Sequence, residues 1–212
     1  VLENIFSKTD MLISVHCEDE ATIKSNLKEY TDKYGDDIPM KFHPLIRSRK
    51  ACYISSSNAI KLAKKTGARL HVFHLSTAEE TKLFSNRKKL KDKKITSEVC
   101  IHHLWFSDSD YAQLGSKIKW NPAVKSSSDR DALWKALLDD RIDVIASDHA
   151  PHTEKEKQSN YLNCPSGGPL VQHTLPAMLE AHHNNKISLE KIVEKMCHNP
   201  AILFQIEKRG FI

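Results

Sequence analysis

Three residues of this chain have types and settings suited to metal-assisted chemistry: His16, His74 and Asp148. Each ends a short apolar run: Met11-Leu-Ile-Ser-Val before His16, Leu-His-Val-Phe before His74, and Val144-Ile-Ala-Ser before Asp148. Strands that deliver imidazole and carboxylate at their C-terminal ends bring those groups to one edge of a sheet. Zinc takes imidazole nitrogen and carboxylate oxygen at about 2 Å, and a catalytic site leaves one position open for water. The trio therefore reads as the beginnings of a metal shell. Asp148 is also placed to act as a general base, taking a proton from the attacking group and passing it to a leaving nitrogen. His152 lies just beyond, in reach of an anion at the sheet edge, and His149 is expected to support Asp148. Asn121, followed by Pro122, offers an amide that can both donate and accept, and is equally at home as a turn residue. His102 and His103 are expected to end a strand on alternate faces, so at most one points inward. Cys17 reads as a small buried neighbour of His16 rather than a nucleophile, because no activating partner accompanies it. The positions of Arg47 and Arg49 leave their roles open.

The elements that must position these groups alternate. Leu2, Ile5 and Phe6 have helical spacing, within a helix read over Val1 to Lys8. Strands are predicted over 11–16, 69–75, 95–106 and 144–147, and helices over 20–30, from the lead-in at 43–49 to the stop at Gly67, from the Ser76-Thr77-Ala78-Glu79 cap onward, from the Ser128-Asp-Arg-Asp131 cap through Leu138, over 171–183 and over 187–196. A break at His198-Asn199-Pro200-Ala201 precedes one last short helix. Residues 153–168, ending Cys-Pro-Ser-Gly-Gly, read as a mobile polar cover over the site. Strand and helix repeated four times argue for an α/β fold, a parallel sheet with helices outside. Four repeats make half of an eight-stranded barrel, with two sheet edges left unpaired. The expectation is a single partial domain, completed by further chain or by another polypeptide.

Composition narrows the function classes. The 212 residues are 40% hydrophobic and 28% charged, as in an ordinary globular protein. No apolar run approaches the roughly 20 residues needed to span a bilayer, and the opening residues lack a signal-peptide pattern. Five scattered cysteines without a C-x-x-C pair suit a reducing cytoplasm. The basic run Arg87 to Lys94 has no interleaved aromatics and reads as a solvated loop, not a nucleic-acid patch.

Val-His-Cys-Glu-Asp (15–19), Ile-Arg-Ser (46–48), His-Val-Phe-His-Leu-Ser-Thr-Ala-Glu (71–79), Lys-Trp-Asn-Pro (119–122) and Ala-Ser-Asp-His-Ala-Pro-His-Thr (146–153) occur in this order. Together they resemble the dihydroorotases of the amidohydrolase superfamily, over nearly the whole chain. The resemblance implies strands five to eight of a TIM-type (β/α)8 barrel. It also implies reversible cyclisation of N-carbamoyl-aspartate to dihydroorotate with one or two zinc ions. Matched residue by residue, it makes His16 and His74 the strand-five and strand-six zinc ligands and Asp148 the strand-eight ligand and general base. Asn121 and His152 would hold the substrate's ring and carboxylate, and Gly167 and Gly168 would offer it backbone amides, although the Pro165 to Gly168 wording departs from the commoner family form. The family's first-strand His-x-His, the nearby substrate-binding Arg, the metal-bridging residue and the small β-sandwich have no counterpart. The isolated chain is therefore expected to be inactive, and to act as a homodimer or together with the missing barrel half. The alternatives are an allantoinase- or hydantoinase-type enzyme and a non-catalytic scaffold with the same fold.

Overall fold

The structure is a computed structural model that describes residues 2–211. The chain opens on α1 (Leu2–Lys8); Val1, read into the same helix, lies outside the described residues. Strand β1 (Leu12–Val15) leads to α2 (Glu20–Tyr34), which Asp19 caps by accepting the Thr22 N–H. The short α3 (His43–Ile46) and the long α4 (Arg49–Thr66) follow. Residues 43–49 lead into α4 as expected: the chain turns at Arg47, and Ser48 caps α4 by accepting from the Ala51 N–H. Gly67 closes α4 in the left-handed conformation, with φ +76°, where a side chain would be strained.

Strand β2 (Arg69–Val72) precedes α5 (Ala78–Thr81). The expected cap sits one residue on: Thr77 accepts the Glu80 N–H, and the Glu80 carboxylate accepts from the Thr77 hydroxyl. Strand β3 (Ile95–Cys100) is shorter than expected. Ile101–Trp105 is not strand but helix α6, followed by α7 (Tyr111–Leu114). A short apolar run is compatible with either element, and here tertiary packing decides for helix. The cap of helix α8 (Ser127–Leu138) lies two residues before the expected Ser128, because Ser126 and Asp129 form the capping box. Strand β4 (Val144–Ala146), α9 (Glu154–Lys157), α10 (Val171–His183), α11 (Leu189–Val193) and α12 (Asn199–Leu203) complete the order. The expected break near Pro200 is absent. A π-helical turn over Glu194–His198 joins α11 to α12, and Pro200 falls in the first turn of α12, where no N–H is needed.

The four strands form one sheet in the order β1-β2-β3-β4, with every neighbour pair parallel. Val15 pairs with Val72, and Cys100 with Ala146, so all four C-terminal ends lie along one edge. Alternate residues face opposite ways. Leu70, Val72, Val99 and Ile145 pack into the main core with Ile60, Leu133, Leu137 and Met178. His71, Thr96 and Glu98 occupy the other set of positions and bond to one another: His71 Nδ1 lies 2.9 Å from Thr96 Oγ1, and its Nε2 3.1 Å from Glu98 Oε2. That polar inner face is how barrel lumens differ from their helix-covered outer face.

Candidate active site

His16 directly follows β1, and His74 stands two residues beyond β2. His16 Nδ1 and His74 Nε2 lie 2.8 Å apart, with the rings nearly perpendicular. The structure thus brings the two expected imidazoles into direct contact. His74 is buried, its Nδ1 has no partner, and its backbone has φ +37°. Burial, then the nearby charges of His16 and His103, push its pKa down to about 3, so it is neutral at physiological pH. On the outer side of His16, Nε2 lies 3.2 Å from Glu18 Oε2, and the Arg47 guanidinium donates to that same oxygen. Cys17 is buried, and its thiol is pushed up to about 11, as suits a packing residue.

Asp148 also has a positive φ, +49°. Non-glycine residues held there cost of order 1 kcal/mol or more and recur at functional sites. Two such residues, at the ends of β2 and β4, stand at the one edge where the chain presents imidazole and carboxylate. Burial raises the Asp148 pKa, the charge of Glu98 raises it further, and the charge of His16 opposes both. Among the described residues, however, no group of three His, Cys, Asp or Glu closes around a common point. Asp148 stands at the same edge without joining the imidazole pair.

A second cluster lies beyond β4. Ser166 joins two of the expected substrate-binding residues: its hydroxyl donates to Asn121 Oδ1 (3.1 Å), and its carbonyl accepts from His152 Nε2 (3.2 Å). Gly167 and Gly168 are both buried. A Cβ on Gly167 would sit 2.5 Å from the Ala150 carbonyl oxygen, and one on Gly168 2.7 Å from the Trp120 ring, so close packing alone demands glycine at both. A cleft of about 310 Å³ opens here between His152, Lys117, Glu154, Gly167 and Gly168. The segment read as a mobile cover is heavily tethered. Lys157 Nζ donates to the carbonyls of Lys119, Pro165 and Gly167, and Lys119 Nζ to those of Tyr161 and Cys164. His149 does not support Asp148; its Nδ1 accepts the Val171 N–H.

The residues left open by sequence now have partners. Arg47 pairs with Glu18, whereas Arg49 forks onto Asp129 and anchors α4 to α8. His102 and His103 are both buried, contrary to the expected alternation, because α6 turns them into the interior. His103 Nε2 donates to the Pro122 carbonyl, and His102 stacks on Trp120. Sequence reasoning missed Glu18, although its place two residues after a strand-end histidine was a usable signal. It also missed His43, which bridges Tyr161 and the Trp120 carbonyl.

The amidohydrolase family profile matches residues 2–212. The chain belongs to the amidohydrolase family. Among curated amidohydrolase relatives it is 43% identical to a dihydroorotase of Carboxydothermus hydrogenoformans over 154 residues, 72% of this chain and 36% of that protein. It is 32% identical to a dihydroorotase of Halobacterium salinarum, covering 96% of this chain and 45% of that protein. Among solved structures it overlays the L-hydantoinase (dihydropyrimidinase) of Arthrobacter aurescens with a TM-score of 0.90 at 27% identity, across 99% of this chain and 48% of the other. The Saccharomyces cerevisiae dihydroorotase in complex with 5-fluoroorotic acid shares the fold, with a TM-score of 0.67 over 75% of this chain. The chain thus spans less than half the length of these amidohydrolases. Its α/β architecture, with a four-stranded parallel sheet, matches about half of such a barrel. The residues present fit a zinc-class ion in part: two imidazole nitrogens converge, one from a ring whose other nitrogen is buried and unpartnered. They supply two donors to an ion that takes three protein ligands in catalytic sites.

Proposed function

We propose that the protein carrying this chain is a dihydroorotase, catalysing the reversible cyclisation of N-carbamoyl-L-aspartate to L-dihydroorotate. The observation that carries this reading is the meeting of His16 Nδ1 and His74 Nε2 at the strand edge of a chain whose curated relatives are dihydroorotases. His16, His74 and Asp148 would hold one or two zinc ions together with ligands from the other half of the barrel. Such an ion polarises a carbonyl and lowers the pKa of water.

In the hydrolytic direction, water adds to the ring carbonyl carbon and the ring C–N bond breaks. The Asp148 carboxylate takes the water's proton and gives it to the departing nitrogen; in cyclisation the same proton runs back. The raised pKa of Asp148 suits this exchange, because it brings the carboxyl closer to the pH at which it must both accept and donate. His152 and the backbone amides of Gly167 and Gly168 would bind the substrate carboxylate, and Asn121 the ring amide. Ser166 keeps Asn121 and His152 in fixed relation through its two hydrogen bonds. Part of the metal shell would come from the other half of the barrel, so the chain alone would be inactive. It would work as a homodimer or with the missing half. All five cysteines are free, which suits a reducing, cytoplasmic setting, and among the described residues no helix is long and apolar enough to cross a membrane.

The close overlay on an L-hydantoinase favours a second reading, a hydantoinase- or allantoinase-type enzyme acting on another cyclic amide. A non-catalytic scaffold is the weaker alternative, because it gives no reason to keep positive φ at His74 and Asp148. The test is turnover by the protein with its complete barrel, offered dihydroorotate, hydantoin and allantoin in parallel. Hydrolysis of dihydroorotate alone, lost in Asp148→Ala, is expected. Preference for hydantoin or allantoin would move the substrate to the second reading, and no turnover of any would favour the scaffold.

A further inference from the structure

An imidazole that offers one nitrogen to a site must carry its proton on the other, and something must hold that tautomer. His16 needs such help. Its side chain is 45% exposed, so packing alone does not fix the ring. The polar groups it meets are His74 on the Nδ1 side and Glu18 on the Nε2 side.

Glu18 is built as a fixed platform. Its side chain is 1% exposed, although it comes from the link between β1 and α2. Cys17 before it is buried in the main core, and Asp19 after it caps α2 and donates its N–H to the Ala51 carbonyl of α4. The carboxylate faces His16 and the Arg47 guanidinium. One oxygen, Oε2, serves both His16 and Arg47; the other, Oε1, is buried without a partner. A buried carboxylate stays charged only when cations compensate it, and here an Arg does so while the imidazole takes the remaining direction.

We infer that Glu18 is a positioning residue that holds His16 as the Nε2–H tautomer and so presents the Nδ1 lone pair toward His74. That lone pair accepts from His74 Nε2–H across 2.8 Å, and in the complete protein it would be offered to an ion. The inference deepens the proposed function, on which its catalytic meaning rests, but the tautomer itself stands on geometry and is read without turnover.

The test is long-range ¹⁵N–¹H NMR of the His16 ring in the metal-free protein, with zinc affinity of the complete protein measured by chelator competition. The Nε2–H pattern is expected in the unaltered protein. Glu18→Leu combined with Arg47→Met removes the acceptor together with the guanidinium that pairs with it. It should give mixed tautomers and zinc binding weaker by about 10- to 100-fold. Glu18→Gln keeps an acceptor and the shape of the side chain, and should restore much of both. A Nδ1–H pattern in the unaltered protein would overturn the inference, as would a folded Glu18→Leu, Arg47→Met double variant with tautomer and zinc affinity unchanged. Absence of dihydroorotate turnover with the Nε2–H pattern intact would count against the proposed function and leave the role of Glu18 standing.

Discussion

The two ends of the sheet solve opposite problems. At the N-terminal end, buried charge is fully spent. Lys93 Nζ donates to Asp143 Oδ1 and the Asp140 carbonyl, and Asp143 Oδ2 accepts the Ser97 N–H. Lys195 donates to Asp140 Oδ1 and the Ile142 carbonyl, and Asn199 to the Asp143 carbonyl. At the C-terminal end, His74 Nδ1 and Glu18 Oε1 are buried without partners, and His74 and Asp148 hold positive φ. Saturated hydrogen bonding at one end pins β3, β4 and the helices after β4 together. Spare acceptors at the other end contribute nothing to stability, and they coincide with the residues suited to chemistry. In barrels of this class the first end carries stability and the second carries the site.

That contrast can be broken from either side. The largest effect is expected at the N-terminal end. Lys93→Met strands Asp143, whose carboxyl burial already pushes up, and should cost about 3–5 kcal/mol in urea unfolding. A cost below about 1 kcal/mol would remove the distinction. Next comes acid. His74 and His103 are pushed down to about 3 by burial, against about 6.5 when unfolded. Their contribution is complete above pH 6.5 and falls away as pH drops toward 3, because the unfolded chain then binds more protons. The two together should lower stability by about 2.7 kcal/mol per pH unit near pH 5.5, and His103→Gln should halve that slope. Third, Gly168→Ala forces a methyl group against Trp120 and should cost about 1–3 kcal/mol by thermal unfolding. The smallest effect runs the other way. Asp148→Asn keeps a residue that tolerates positive φ and removes a disfavoured charge, so it should stabilise by about 0.5 kcal/mol after allowing for solvent screening. In the complete protein the same change should abolish turnover, which would show stability and function opposed at one residue.

The sequence was most readable where periodicity and residue type agree. Apolar runs leading to His16, His74 and Asp148 announced the parallel sheet and the edge where His16 and His74 meet, because a strand fixes direction as well as position. The helix α6 was not readable, since Ile101 to Trp105 is apolar enough for either element, and with it went the burial of His102 and His103. Glu18 was overlooked because a carboxylate in a link between elements looks solvated. Only the fold brings Arg47 from 29 residues away to neutralise it. The tethering of residues 157–168 was hidden for the same reason. Lysines in a polar segment read as surface, and nothing local reveals that Lys119 and Lys157 point inward onto carbonyls.

If this chain carries part of a metal shell with His74 in it, the remaining ligands must come from outside residues 1–212. The direct measurement is zinc content together with intact mass, on the chain alone and on an assembly with a polypeptide supplying the first four strands of the barrel. Substoichiometric zinc is expected on the 24.2 kDa chain, about one to two ions on the assembly, and loss of that zinc in His74→Ala. Stoichiometric zinc on the chain alone, or assembly zinc indifferent to His74→Ala, would contradict it.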